Sequence, residues 1–196
     1  MAGIGRIPTG EQTRGYLKIE GAARAFDFDF RDKTVLDIGS STGGFTEYAL
    51  NHGAKKVIAV EKGSHQMKAP LRFDPRIELH ERTDIFNYPL NKEIDTVVAD
   101  VSFISLTKIM QYLKGLPNKK ATFLMMLKPQ FEAKSSELKN GVVKNETIRR
   151  QIIKRFEIWL KQNDYLVVKK HDNELHGKTG NIERFYLMFF ACKKNH

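Results

Sequence analysis

The run Val35-Leu36-Asp37-Ile38-Gly39-Ser40-Ser41-Thr42-Gly43-Gly44-Phe45-Thr46 carries an apolar stretch into a small-residue turn and then into a helix-length segment. Gly39, Gly43 and Gly44 let backbone come close to a bound molecule, and the helix N-terminus beyond them favours a negative group. The spacing is not Gly-x-Gly-x-x-Gly and lacks the Gly-Lys-Ser/Thr of a phosphate loop, which weakens NAD and ATP readings. Glu61 closes the next apolar run, 22 positions after Gly39, where a carboxylate can accept hydrogen bonds from ribose hydroxyls. Asp84 follows the third run and Asp100 ends the fourth, so four acids, Asp37, Glu61, Asp84 and Asp100, converge on one crevice. Such a rim suits a cofactor that carries an amine and an adenosine but no phosphate. That description fits S-adenosylmethionine, whose carboxylate and ammonium need opposite partners. The expected cofactor contacts are Asp37, Gly39, Ser40, Ser41, Thr42, Gly43, Gly44, Phe45, Glu61, Lys62, Asp84 and Asp100.

The elements that must position these residues follow from short apolar runs separated by helix-length stretches, the pattern of strands and helices alternating around a mainly parallel sheet. Seven strands are expected at 34–38, 56–60, 76–80, 95–100, 121–127, 166–170 and 184–190. Several are nearly continuous apolar runs, such as Phe123-Leu124-Met125-Met126-Leu127, as in strands covered on both faces. Helices are expected at 13–26, 44–52, 65–73, 106–116 and 146–163. In the last, Ile148, Ile152, Phe156, Trp159 and Leu160 recur at helical spacing and read as core. The final two strands flank a polar loop, 172–182, and read as an antiparallel hairpin at the sheet edge. The polar segment 132–145, with three lysines, reads as a mobile loop beside a site.

With 196 residues, 41% hydrophobic and 29% charged, the chain reads as one domain with a real core, neither disordered nor membrane-embedded. There is no apolar run of about 18 residues to span a bilayer, and the first residues lack a secretory pattern. A single cysteine, Cys192, allows no internal disulfide and fits a cytoplasmic protein. The six histidines, His52, His65, His80, His171, His176 and His196, show no metal-ligand spacing, and no metal is expected. Residues 1–98 hold 14 Lys/Arg and 14 Asp/Glu, whereas 99–196 hold 19 and 9, so the net charge of +10 lies in the second half. A cationic region on an otherwise balanced domain is the footprint of a polyanion partner. Lys134, Lys139, Lys144, Arg149 and Arg150 are its expected contacts.

Five ordered blocks extend the pattern: 14–20 (Arg-Gly-Tyr-Leu-Lys-Ile-Glu), 36–46, 99–106 (Ala-Asp-Val-Ser-Phe-Ile-Ser-Leu), 128–132 (Lys-Pro-Gln-Phe-Glu) and 180–183 (Gly-Asn-Ile-Glu). Together they resemble the hemolysin A (TlyA) family of FtsJ-like ribosomal RNA 2′-O-methyltransferases, from about Arg14 to Phe190. The resemblance implies an α/β fold, a Rossmann-like class I methyltransferase with a seven-stranded mainly parallel sheet, helices on both faces and an antiparallel last strand. It implies a methyltransferase domain at 14–196. Ahead of it, where the family carries an S4-type RNA-binding domain, this sequence has only the segment 1–13. It also implies methyl transfer from S-adenosylmethionine to ribose 2′-hydroxyls, with ribosomal RNA or a ribosomal subunit as partner and no membrane; the sequence carries no signal of oligomeric state. The Lys-Asp-Lys-Glu tetrad of similar enzymes falls on Lys18, Asp100, Lys128 and Glu183, the implied catalytic residues.

A ribose hydroxyl is a weak nucleophile, so transfer needs the oxygen aligned with the methyl group and a base to take its proton. Lysine serves only when neutral. Lys18 and the cofactor sulfonium, as neighbouring cations, would favour that form of Lys128, while Asp100 orients it and Glu183 positions Lys18 or the hydroxyl. Read alone, Lys18 would be a surface residue of an amphipathic helix, and Phe103 a core residue. A base-directed enzyme would carry an Asn/Asp-Pro-Pro-aromatic stretch where this chain has Asp100-Val101-Ser102-Phe103. The rivals from other classes are a cytolysin, opposed by the absence of spanning segments and barrel repeats, and a non-catalytic RNA-binding or cofactor-sensing module, which has no need of the tetrad.

Overall fold

Along each central strand, successive buried side chains alternate between two apolar layers. In a computed structural model that describes residues 12–175 and 180–191, β1 (Thr34–Ile38) sends Val35 to one layer and Leu36 and Ile38 to the other. The same alternation runs through β2 (Lys56–Val60), β4 (Thr96–Ala99), β5 (Thr122–Leu127) and β7 (Arg184–Phe190). It follows from the period of two of a pleated strand covered on both faces. α1 (Arg14–Phe26) and α2 (Gly44–Asn51) cover one face. α3 (Leu106–Leu113) and α5 (Glu146–Gln162) cover the other.

With β3 (Ile77–His80) and β6 (Tyr165–Asp172) added, the seven strands order β3-β2-β1-β4-β5-β7-β6. β1 to β5 pair parallel, and β7 lies antiparallel between β5 and β6. The order reverses between β1 and β4, the position where open α/β sheets hold ligands beyond the strands' carboxyl ends. Because β7 runs the opposite way, its first residues arrive at that same edge, with Arg184 opposite Leu127 in register. The expected hairpin is present, with β7 inside the sheet and β6 at its edge.

Four expectations change. The helix expected at 65–73 shrinks to a 3-10 turn, Leu71–Phe73, because Pro70 supplies no amide donor and disfavours helical backbone before it. The segment expected as a loose loop from 132 is built instead from α4 (Pro129–Glu132), a 3-10 turn at Ser135–Glu137 and a Lys139–Val142 bridge. Its far end is tied to the β7 approach, where Asn181 accepts from the Val143 amide at 3.0 Å and donates to the Gly141 carbonyl. Phe103 is 92% exposed rather than core. Trp159 only packs against the core from its margin. Expectations for residues 1–11, His176, Cys192 and His196 lie outside the described residues. Among the described residues no helix is long and apolar enough to cross a membrane.

Candidate active site

A cleft of about 1810 Å³ opens at the carboxyl edge of the sheet, between the ends of β1, β2, β4 and β5. Gly39, with φ +77°, turns the chain out of β1. A Cβ there would stand 3.1 Å from the Asp100 carbonyl and 3.3 Å from Val101 Cγ1, so glycine is what lets the β1 and β4 exits run side by side. At Gly44, a Cβ would lie 2.6 Å from the Tyr16 amide. That close approach packs the N-terminus of α2 onto α1, and α1 carries Lys18 to the cleft.

The four tetrad residues meet. Lys18 Nζ lies 2.6 Å from Glu183 Oε2 and 4.0 Å from Asp100 Oδ2. Lys128 Nζ lies 2.5 Å from Asp100 Oδ1 and donates to Ser102 Oγ at 2.9 Å. Asp100 thus bridges two ammonium groups, one on each oxygen. Side-chain exposures of 10% for Lys18, 21% for Asp100, 11% for Lys128 and 3% for Glu183 leave these charges largely cut off from water, where their interactions are strengthened. Asn173, which nothing in the sequence marked, donates at 3.4 Å to Glu183 Oε2, the same oxygen that pairs with Lys18.

The glycine turn is placed as expected, with Gly39, Ser40, Ser41, Thr42, Gly44 and Phe45 lining the cleft beside Glu61, Lys62, Asp84 and Asp100. Asp37 and Gly43 do not line it. Asp37 is fully buried on the α2 side of β1, accepts from the Thr46 hydroxyl at 2.6 Å, and is pushed by burial up to about 7. It anchors α2 beneath the turn rather than reaching a ligand. Glu61 accepts from the Ser41 amide at 2.9 Å and the Gly63 amide at 2.6 Å, so it also braces the turn. Asp84 caps a short 3-10 turn through the Phe86 amide and pairs with Lys62 at 3.1 Å, which together hold it below the usual carboxylate range.

The residues present fit S-adenosylmethionine. Ser40 Oγ is buried at the turn without a hydrogen-bond partner, Gln130 Oε1 is likewise unsatisfied, and both residues line a cleft whose floor is the glycine cradle. Buried polar atoms without partners are uncommon, and a polar ligand would satisfy them. Of the expected RNA contacts, Lys134, Lys139 and Lys144 are exposed on the segment before α5, and Arg150 is exposed but engaged with Glu146 at 3.1 Å. Arg149 differs. It is 5% exposed, donates to Asp172 at 2.7 Å and to the Ile182 carbonyl, and so fastens α5 to the β6–β7 hairpin.

A doubly covered sheet with its order reversing at a glycine turn, a ligand-sized cleft there and a charged tetrad at the same edge define the class I methyltransferase fold, which solved S-adenosylmethionine-dependent methyltransferases share. The FtsJ-like methyltransferase family matches residues 12–190, and the chain belongs to it. It is 38% identical over 183 residues to Hemolysin A of Brachyspira hyodysenteriae, covering 91% of this chain and 75% of that protein. It is 34% identical over 177 residues to the 16S/23S rRNA (cytidine-2′-O)-methyltransferase TlyA of Mycobacterium tuberculosis, covering 88% and 66%. A chain from Lactococcus lactis solved under a hemolysin name superposes with a TM-score of 0.86 at 32% identity, covering 90% of this chain and 87% of that one. The chain spans 63 to 75% of the length of curated relatives such as these.

Proposed function

We propose that this chain is an S-adenosylmethionine-dependent methyltransferase that modifies ribose 2′-hydroxyls of ribosomal RNA. The observation that carries the reading is the closed arrangement of Lys18, Asp100, Lys128 and Glu183 at the rim of a cleft built around the glycine turn. The relative from Mycobacterium tuberculosis is named for that chemistry. The cytolysin reading draws no support from the cleft or from the tetrad.

Bound S-adenosylmethionine would supply a methyl group activated by a sulfonium. Ser40, the turn backbone and Gln130 are the groups available to hold it, with Glu61 and the Asp84–Lys62 pair framing the adenosine side. Lys128 is the group that takes the 2′-hydroxyl proton. Its amine is held by two partners, Asp100 Oδ1 through an ion pair and Ser102 Oγ through a hydrogen bond, at the rim of the cleft. Lys18, held by Glu183, places a second positive charge across Asp100 from Lys128. Lys134, Lys139 and Lys144 would bind phosphates without reading sequence, as basic side chains on backbone do. A ribosomal RNA substrate fits a cytoplasmic protein.

The test is incubation of the purified chain with S-adenosylmethionine and ribosomal RNA or subunits, followed by mass-spectrometric mapping of ribose methyls. New 2′-O-methyl nucleotides in wild type, absent with Lys128→Ala, are expected. Methylation appearing on a base instead would overturn the ribose assignment.

A further inference from the structure

Two loops must hold still relative to one another for the tetrad to work. The β4 exit, residues 100–105, carries Asp100 and Ser102, and the β5 exit carries Lys128. Strand pairing fixes them only as far as Ala99 and Met125. Beyond the sheet, apart from the contacts of Lys128 itself with Asp100 and Ser102, a carboxylate joins the two. Glu132, in the last position of α4, accepts from Ser105 Oγ at 2.6 Å through one oxygen and from the Leu106 amide at 2.5 Å through the other.

The carboxylate therefore caps α3 from a different segment of chain. Ser105 is the helix's own N-cap, accepting from the Thr107 amide at 3.2 Å. Glu132 adds a negative charge where the helix dipole favours one. Burial raises the Glu132 carboxyl above its ordinary value, against the pull of the Ser105 and Leu106 hydrogen bonds. A second contact bridges the same loops, with the Phe103 and Phe131 rings 5.2 Å apart. Phe103 sits at φ +63°, uncommon for a bulky residue, so the 102–104 backbone is held by its surroundings rather than by its own preference.

We propose that Glu132 is a positioning residue for the reaction: it locks the Asp100–Ser105 loop to the Lys128–Glu132 turn, and so fixes Ser102 and Asp100 against the Lys128 amine. The proposal rests on the methyltransferase reading above for its consequence in rate, but not for its consequence in structure. An ordinary helix cap would contribute stability alone; a clamp between two catalytic loops also sets the rate.

The experiment compares the full chain as wild type, Glu132→Ala, Glu132→Gln and Ser105→Ala. Amide hydrogen exchange without RNA reads the coupling. Glu132→Ala should speed exchange at least about tenfold in both 101–106 and 128–132 while leaving β1 and β5 protected. Single-turnover methylation of ribosomal RNA reads the consequence. Glu132→Ala should slow it about tenfold or more with the dissociation constant for S-adenosylmethionine within about twofold of wild type. Glu132→Gln keeps an acceptor for Leu106 and a donor for Ser105, so it should recover most of the rate. Exchange confined to 128–132, or a Glu132→Ala rate within about twofold of wild type, overturns the proposal. Should Glu132→Ala fail to fold, Ser105→Ala, which loses one of the two bonds, carries both readings. Wild type that methylates no ribosomal RNA would defeat the ribosomal RNA reading, while the exchange result would still decide the clamp.

Discussion

Lys18 and Glu183, from opposite ends of the chain, form an ion pair of 2.6 Å with side-chain exposures of only 10% and 3%. Removing one partner of such a pair leaves a buried charge uncompensated, which costs about 3–5 kcal/mol. Asp100 at 4.0 Å offers Lys18 partial compensation. Glu183→Ala should therefore lower unfolding stability by about 3 kcal/mol in urea titration. The double variant Lys18→Met, Glu183→Leu should recover most of it, because two apolar side chains need no compensation. A single variant as stable as wild type would show that the pair is solvated.

The cleft floor makes a sharper demand. Gly39 has φ +77°, and a Cβ there would meet the Asp100 carbonyl at 3.1 Å. A β-branched residue at that backbone angle is strained and would push the β4 exit away. Gly39→Val should weaken S-adenosylmethionine binding at least about tenfold by calorimetry, about 1.4 kcal/mol. Unchanged affinity would place the cofactor elsewhere.

The apolar runs made six of the seven strands legible to within about a residue at each end, because strands covered on both faces have little choice of side chain; β6 extends further. The segment 65–73 reads as a helix for the opposite reason: its apolar spacing is adequate, but Pro70 ends any helical ladder there. The tetrad was legible through its sequence blocks and not through local pattern. Lys18 sits on an amphipathic helix among residues that would pass as surface, and only long-range folding brings Glu183 to it. Asn173 and the outward turn of Phe103 depend on the hairpin and the β4 exit, and carry no signal at the level of composition or period. Arg149 differs from its sequence reading because a helical arginine beside Arg150 reads as surface, while Asp172 and the Ile182 carbonyl draw it inside.

Asp37 makes stability depend on pH. Burial raises its carboxyl from 3.8 to about 7. Below pH 4 the group is neutral in both states, and its contribution is fully present. As pH rises towards 7 the unfolded chain releases this proton while the folded chain keeps it, so stability falls across that window and levels off above it. Asp37→Asn does not titrate and can still accept from Thr46. Relative to wild type, the asparagine variant should gain on the order of a few kcal/mol between pH 5 and pH 8. A difference between the two proteins that does not vary with pH would mean that Asp37 is already ionised in the folded state.

RNA affinity should respond to the exposed lysines before α5. Lys134→Glu, Lys139→Glu and Lys144→Glu together should weaken RNA binding and reduce the slope of log affinity against log salt by about two to three. Arg149→Ala should behave otherwise. Its guanidinium fastens α5 to the hairpin, so the variant should lose stability while keeping the salt slope. A triple variant with the wild-type slope would move the footprint to another face.

The last prediction concerns the base. Lys128 Nζ is held between Asp100 Oδ1 and Ser102 Oγ at the end of β5, where a 2′-hydroxyl entering the cleft would meet it. Lys128→Ala removes the only proton acceptor assigned to that position, so single-turnover methylation should fall by at least about a hundredfold, the contribution expected of a general base. S-adenosylmethionine affinity should stay within about twofold, because the amine acts on the hydroxyl and not on the cofactor. Lys128→Arg is the more informative variant. A guanidinium keeps the positive charge, the reach and the contact with Asp100, but it stays protonated in proteins and cannot accept the proton. It should therefore be as inactive as alanine. Near-wild-type turnover by Lys128→Arg would refute the base role, leave Lys128 as an electrostatic partner of Asp100, and pass the proton to Asp100 or to solvent.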